Sequence, residues 1–249
     1  MKSVWRWLWR GALLLALLWA AWVGPDLWPG PFFPYCATQD RLSLCSDLPF
    51  DQARGQILLS EAAARLARSP LNDSNEHRIF VSNTAWRVAL FMHNSGAAAF
   101  SIYPSLSRNV FSHHADIGAD IAFHATGEAA QPPRTFIYYM THEFAHALTG
   151  EHVGIVRFVQ MPVWVREGYA DYVGMGSSGP EDNPGLLYAR DRAHDPAFAN
   201  NLTYYRYRML VAYFLEDRRW SLNELLTTNL TMDQAQRVLD QVPPVSPLK

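Results

Sequence analysis

The sequence predicts an α+β fold, because its strand-like segments and its longest helical segments fall in different parts of the chain. Short runs rich in β-branched and aromatic residues occupy residues 78–82, 97–103 and 109–112. An amphipathic helix over 52–68 precedes them, and helical patterns follow over 135–150, 162–173, 203–216 and from Thr231 onward. We expect Gly150 to end the second of these helices. The roughly 200 residues after the N-terminal segment are enough for one hydrophobic core.

The N-terminal segment has the layout of an export signal, a basic stretch followed by an apolar one. The apolar run covers 13 residues from Gly11 to Val23, and tryptophans on both sides extend it toward the length of a membrane span. No A-x-A cleavage site follows it. We therefore predict an uncleaved signal anchor over residues 1–28; the alternative is a cleaved signal that releases a secreted protein. All three cations of this segment precede the apolar run, which places the rest of the chain outside the cytoplasm, on the periplasmic side of the inner membrane.

Cys36 and Cys45, the only cysteines of the chain, follow soon after this segment. They are poorly spaced for zinc and lack partner ligands nearby, but they can close a short disulfide loop in an oxidising compartment. Proline is frequent over residues 24–34, which favours a stiff spacer. We predict a proline-rich linker with a cysteine pair over 29–49, followed by one folded domain over 50–249.

The most informative motif is H-E-x-x-H, formed by His142, Glu143 and His146. Residues four apart lie on one face of a helix, so the two imidazoles can bind one metal ion. Glu143 is turned about 100° from His142, where it can reach a water molecule at the metal. Two nitrogen ligands, an open coordination position and a base are what zinc-dependent hydrolysis requires. The alternative is a buried helix whose histidines are hydrogen-bonded core residues.

Two residues compete to be the third zinc ligand. Glu167 lies on the helix that Pro162 opens, and a carboxylate carried into a core is costly unless it meets a cation. Asp171, one turn further on, can accept a hydrogen bond from a ligand histidine. The rival is His152, at the spacing of the pattern H-E-x-x-H-x-x-G-x-x-H. Thr149 occupies the glycine position of that pattern and resists the positive φ of a sharp turn, so we favour Glu167.

The H-E-x-x-H motif and the downstream segment W-V-x-E-G-x-A-D-Y together resemble the gluzincin metallopeptidases, in particular the peptidase-MA-like domains. The resemblance implies a zincin-like fold, in which a small mixed sheet precedes an active-site helix, a glutamate helix and C-terminal helices. It also implies that Glu167 is the third ligand, that Asp171 supports a zinc histidine, and that a tyrosine on a later helix stabilises the oxyanion. Tyr204 falls at that position, with Tyr205 and Tyr207 as close rivals.

These expectations combine into a membrane-anchored, exported zinc metallopeptidase that binds one Zn²⁺ ion per chain. In it, His142, His146 and Glu167 bind the ion, Glu143 is the general base and Tyr204 stabilises the oxyanion. Two alternatives stay open: a noncatalytic envelope protein for binding or assembly, and a zinc amidase that acts on cell-wall peptides.

The expected partners are a peptide or protein substrate and the membrane. An exposed edge strand over 99–103 is the expected place for an extended substrate to pair. The net charge of −2 and the absence of a basic stripe argue against a nucleic-acid partner. The sequence does not indicate an oligomeric state.

Overall fold

A five-stranded mixed sheet packed against helices forms the folded part of this computed structural model. The structure describes residues 2–93, 95–101, 107–175 and 202–241. The strands are β1 (Tyr35–Gln39), β2 (Leu42–Ser46), β3 (His77–Val81), β4 (Ala99–Ser101) and β5 (Asn109–Ser112), with a small second sheet of β6 (Ala115–Asp116) and β7 (Ile121–Ala122). The helices are α1 (Lys2–Leu27), α2 (Gln52–Leu66), α3 (Ala85–Phe91), α4 (Phe136–Val153), α5 (Ile155–Gln160), α6 (Val163–Met175), α7 (Leu202–Ala212), α8 (Leu222–Thr227) and α9 (Met232–Asp240). This confirms the predicted α+β class.

The main sheet has the order β1-β2-β3-β5-β4. Its three central strands are parallel, and each edge strand is antiparallel to its neighbour. Successive side chains of a strand point to opposite faces, so β3 contributes to two cores. Ile79 and Val81 face the main core with α2 and α4, whereas Phe80 joins a smaller cluster around Phe33 and Phe91 on the other face. The sheet therefore separates α4 from α3.

The predicted linker over 29–49 is wrong, because residues 35–46 form the β1–β2 hairpin of the main sheet. Ala37, Leu42 and Leu44 are fully buried in the main core. β2 pairs in parallel with β3, far along the chain, which a local sequence pattern does not reveal. The structure joins Cys36 and Cys45 by a disulfide across this hairpin, at directly paired positions.

α4 is the central helix of the domain, with almost every side chain from Phe136 to Gly150 buried. It packs against α2 and β4 on the sheet side and against α6 on the other. Gly150 does not end it, contrary to prediction: the helix continues to Val153 and ends at Gly154, which has φ +77°. Only glycine adopts such a φ without strain.

α1 contains the segment Trp9–Leu27, which is long and apolar enough to cross a membrane. A signal sequence near an N-terminus has the same length and composition. The helix continues through Pro25 to Leu27, and its last turn is packed against the domain, with Val23 and Asp26 buried.

Candidate metal centre

The two histidines of α4 lie on one face of the helix, one turn apart, with their ring centroids 4.7 Å from each other. Both residues are buried, His142 at 5% and His146 at 8% exposure. Because the side chains of α4 are buried, these imidazoles are held in a rigid, poorly solvated environment rather than at a surface. Such an environment favours metal binding only if a negatively charged side chain from another helix or strand also reaches it.

That partner is Glu167 on α6. Its Oε2 lies 3.3 Å from Nε2 of His146 and 3.5 Å from Nε2 of His142. Among the described residues, these three form a group whose candidate ligand atoms all lie within 4.8 Å of one another. The other carboxylate oxygen, Oε1, accepts a 3.0 Å hydrogen bond from Nε of Arg166. Arg166 thereby leaves a single oxygen of Glu167 directed at the histidines.

Two glycines of α6 allow this helix to approach its neighbours. A Cβ atom at Gly168 would lie 2.6 Å from the carbonyl oxygen of Tyr207 on α7, and one at Gly174 would lie 3.1 to 3.2 Å from backbone and Cβ atoms of His142 on α4. Real Cβ atoms do not tolerate the first of these distances and rarely show the second. The glycine that follows Glu167 therefore has a packing role: it sets the distance between the glutamate helix and the tyrosine helix.

The three side chains already attract one another electrostatically. Burial opposes ionisation of Glu167, but hydrogen bonds and charge from His142 and His146 outweigh it and hold the pKa of this carboxyl far below its usual range. Burial likewise opposes protonation of His146, yet the hydrogen bond and charge of Glu167, with Glu143 beside them, raise the pKa of its imidazole. The site is therefore a negatively polarised pocket that favours a positive charge between the three groups.

The donor set fits a zinc ion. Ligand atoms about 2.0–2.1 Å from a tetrahedral zinc lie about 3.3 Å from each other, close to the nitrogen–oxygen distances of 3.3 and 3.5 Å found here. Two imidazoles and one carboxylate are also a ligand set of catalytic zinc, which keeps its fourth position open. Glu143 is buried in the same region, and its charge affects the pKa values of His146 and Tyr204.

Tyr204 on α7 is the tyrosine that the structure brings to this site. Its ring centroid lies 6.4 Å from that of His142, and the guanidinium of Arg134 lies over the ring at 4.5 Å. Burial raises the pKa of Tyr204 to about 12, with further contributions from the negative charges of Glu167 and Glu143 and an opposing one from Arg134. The phenol therefore stays protonated and able to donate at neutral pH.

The two rival tyrosines have different surroundings. Tyr207 presents its backbone carbonyl to Gly168, and its ring packs against that of Tyr204 at 6.1 Å. Tyr205 packs against the main core, with the guanidinium of Arg208 5.2 Å from its ring.

In the described part of the chain, Asp171 is linked to His142 through a tyrosine, where the sequence predicts a direct hydrogen bond. Its Oδ1 accepts a 2.5 Å hydrogen bond from the hydroxyl of Tyr138, and Nδ1 of His142 lies 3.3 Å from the same hydroxyl. The single O–H group of Tyr138 donates its hydrogen bond to Asp171, so the phenol oxygen accepts a hydrogen bond from Nδ1–H of His142. Nε2 of His142 then keeps its lone pair for a metal. Burial, with the charge of Asp171, raises the pKa of Tyr138 well above its usual value, which keeps that proton in place.

Asp171 is itself fixed by two cations, Nη2 of Arg134 at 3.1 Å and Nε of Arg208 at 3.6 Å. Neither Tyr138 nor Arg134 is among the residues that the sequence predicts for the site. For Tyr138 a signal is present in the spacing, because Tyr138, His142 and His146 follow one another at intervals of four and so share a face of α4, whereas Arg134 precedes this helix.

His152 lies outside the metal group, so the structure does not support it as the third ligand. It lies in the last turn of α4, is exposed, and its Nε2 lies 2.8 Å from Oδ1 of Asn223 on α8. The physical reason is that α4 does not turn at Thr149 and Gly150, and a residue six positions beyond His146 on a continuous helix faces another direction.

A comparison with models of known protein families gave no match, and neither did one with curated proteins.

Proposed function

We propose that this protein is a zinc-dependent metallopeptidase of the gluzincin type, anchored in the inner membrane by a single helix with its catalytic domain on the periplasmic side. The observation that carries the proposal is the convergence of His142, His146 and Glu167 from two helices, with Glu143 beside them. A purely structural zinc site would close the fourth position with a further Cys or His, and it has no use for a base next to the ion.

The three ligands and the base have separate roles. A Zn²⁺ ion bound by His142, His146 and Glu167 would act as a Lewis acid and lower the pKa of a water molecule toward neutrality. Glu143 is the carboxylate that accepts a proton from the attacking water and passes it to the departing amine. Arg166 holds Oε1 of Glu167, so the ligand oxygen keeps one orientation.

Tyr204 is the proposed donor to the oxyanion. Its raised pKa keeps the hydroxyl protonated, and the cation of Arg134 over its ring restrains the ring beside His142. Arg134 also binds Asp171, so a single side chain connects the tyrosine to the group behind the histidine. A donor held in position before the reaction costs little reorganisation as charge develops.

The edge strand of the sheet suits an extended peptide substrate. β4 ends the sheet order, pairs antiparallel with β5 and packs against α4, the helix of the two histidines. A peptide that pairs with such an edge binds through main-chain hydrogen bonds, which are independent of side-chain identity. We therefore propose peptides or proteins, bound in an extended conformation, as the substrate class, and a zincin-like relationship between sheet and active-site helix.

The proposal is tested on purified full-length protein in detergent. We expect zinc in a one-to-one ratio by metal analysis, hydrolysis of a mixed panel of unstructured peptides and cell-wall peptides, and loss of hydrolysis with a chelator. Glu143→Gln is the matched variant: it should keep the zinc and lose at least about 100-fold in hydrolysis, within the contribution of a general base. Full turnover by zinc-loaded Glu143→Gln would exclude this base. Bound zinc without hydrolysis of any substrate would favour a binding or assembly role, and cleavage of the cell-wall peptides alone would favour the amidase.

A further inference from the structure

The end of α1 is built into the folded domain through a contact between the side chains of Asp26 and His93. Asp26, in the last turn of α1, is 1% exposed, and its carboxylate oxygens lie 3.0 and 3.1 Å from Nε2 of His93, just beyond α3. The side-chain amide of Asn109 on β5 donates to the carbonyl oxygens of Asp26 and Leu27. Asn109 on β5 and His93 after α3 thus hold the last turn of α1 against the folded domain.

An aromatic surface surrounds this junction. The ring of Trp22 lies against that of His93, with centroids 5.4 Å apart. Phe32 packs between Trp86 at the start of α3 and Phe91 at its end, with centroid distances of 6.2 and 5.4 Å. The indoles of Trp22, Trp28 and Trp86 are nevertheless 62%, 77% and 52% exposed. Three large aromatic side chains therefore surround one end of the candidate span and face outward.

The length of α1 indicates how deep in the membrane this aromatic surface lies. Its 26 residues extend for about 39 Å at 1.5 Å per residue. A bilayer with its headgroups is about 40–45 Å thick, and each headgroup layer takes several ångström of that. With α1 centred on a hydrocarbon core of about 30 Å, about three residues at its end, from Pro25 to Leu27, fall in the outer headgroup layer, and Trp22 lies about one turn deeper, close to the boundary. His93, which contacts this end of α1 at Asp26 and Trp22, comes to lie at the same level.

We propose that the surface formed by Trp22, Trp28 and Trp86 around the contact between Asp26 and His93 is seated in the interfacial layer of the membrane, where the hydrocarbon meets the headgroups. The inference rests on the proposed membrane anchor and not on the proposed catalysis. Tryptophan is the side chain that prefers this layer, because its apolar ring and N–H group suit the boundary between hydrocarbon and water. The guanidinium of Arg87 lies 4.2 Å from the Trp86 ring and pairs with Asp47 at 3.5 Å, so it restrains this indole at the surface. The domain would then stand on the membrane in one fixed orientation.

The test uses full-length protein in phosphatidylcholine–phosphatidylglycerol vesicles. A polarity-sensitive fluorophore is attached at Trp86→Cys or Trp28→Cys, and at Ile57→Cys as the control, because Ile57 on α2 is 56% exposed, close to the value for Trp86. We expect blue-shifted emission and quenching by lipids with a nitroxide near the headgroup at positions 86 and 28, and water-like emission without quenching at 57.

A second variant tests the fixed attachment. Asp26→Asn replaces the carboxylate that contacts His93 but leaves the helix sequence otherwise intact, so we expect weaker quenching at position 86 while the protein stays in the vesicles under alkaline carbonate. Extraction of the parent protein by carbonate would overturn the anchor and the docking surface together. Retention with a water-like signal at both 86 and 28 would overturn the docking surface alone. Neither result bears on zinc content or peptide hydrolysis, which are measured separately.

Discussion

The hydroxyl of Tyr138 on α4 lies 2.5 Å from Oδ1 of Asp171 on α6. The same hydroxyl contacts Nδ1 of His142, so through it α6 orients the imidazole of a histidine on α4. Asp171 is paired with Arg134 and Arg208, so its position is fixed by two charges before it meets the tyrosine. The carboxylate of Asp171 acts on the imidazole of His142 through the phenol of Tyr138, which keeps its proton. A phenol is a weaker acceptor than a carboxylate, so this arrangement orients the imidazole without making it strongly anionic.

Tyr138→Phe should weaken zinc binding by about 10–100-fold, the effect of losing the group that orients a metal-binding histidine. Measurement by competition with a chromophoric chelator gives the affinity without any reference to catalysis. Tyr169→Phe is the control, because Tyr169 is equally buried on α6 and also loses a hydroxyl hydrogen bond, its 2.7 Å contact with Ser69, away from the metal group. Equal affinities for the two variants would contradict the orienting role of Tyr138.

Glu167→Ala should abolish stoichiometric zinc binding, whereas His152→Ala should leave it unchanged. The carboxylate is the charged member of the ligand group, while His152 contacts Asn223 at the end of α4. Metal analysis of both variants after dialysis against dilute zinc separates the two assignments. Loss of zinc from the His152 variant, with retention in the Glu167 variant, would show that His152 and not Glu167 is the third zinc ligand.

The parts of the site that the sequence predicted are those that depend on local spacing. His142 and His146 are four positions apart on one helix, and Glu167 follows the proline that precedes α6. The Tyr138 hydroxyl could not be assigned in this way, because its contact with Asp171 depends on the distance between two helices. That distance is permitted by Gly174, whose contact with His142 is visible only in three dimensions.

The errors in the predicted fold have a similar origin. The local composition of the β1–β2 hairpin, with its prolines and cysteine pair, predicts a linker because the stabilising partner β3 is distant in sequence. Gly150 predicts a helix end, but glycine inside a helix costs only about 1 kcal/mol. Tertiary contacts of a fully buried helix exceed that cost, so α4 continues to Val153.

Tyr204→Phe should lower kcat about 100-fold and change KM much less, because the hydroxyl acts on charge that develops during the reaction. Tyr205→Phe is the matched control one residue further along α7, where the ring packs against the main core. Steady-state kinetics on one peptide substrate, with zinc content measured in parallel, gives the comparison. A larger loss of kcat for Tyr205→Phe than for Tyr204→Phe would show that Tyr205 is the donor to the oxyanion.

Gly168→Ala should destabilise the domain by about 1–3 kcal/mol, the usual cost of forcing an extra methyl group into a packed interface. The added Cβ would meet the backbone carbonyl of Tyr207, which cannot rotate away, so α6 or α7 must move. Because Glu167 precedes this glycine, zinc affinity should fall as well. Gly96→Ala is the control, since a Cβ there has no neighbour within 4 Å. Thermal unfolding and zinc titration of both variants test the prediction, and unchanged zinc affinity in Gly168→Ala would show that the helix distance does not position the ligand.

Acid should destabilise the protein through His77, a fully buried residue whose ring packs on Phe144 of α4. Burial lowers the pKa of this imidazole below its ordinary value of 6.5; the hydrogen bond and charge of Asp73 oppose the shift, and the charges of Arg108 and Arg41 add to it. In the folded protein His77 therefore takes up its proton at lower pH than in the unfolded chain. As pH falls below about 6.5, the unfolded chain binds more protons, so the free energy of unfolding falls.

His77→Phe keeps a ring against Phe144 and removes the titration. Its melting temperature should therefore fall less than that of the parent protein between pH 7.5 and pH 5.5, even if the lost contact with Asp73 lowers stability at both values. That range stays above the region in which Asp73 is protonated, because the pKa of this carboxyl is held below its ordinary value of 3.8. The melting curves are recorded in detergent with zinc in excess, so that His142 and His146 stay bound to metal. Parallel decreases in the two proteins would show that groups other than His77 govern the acid sensitivity.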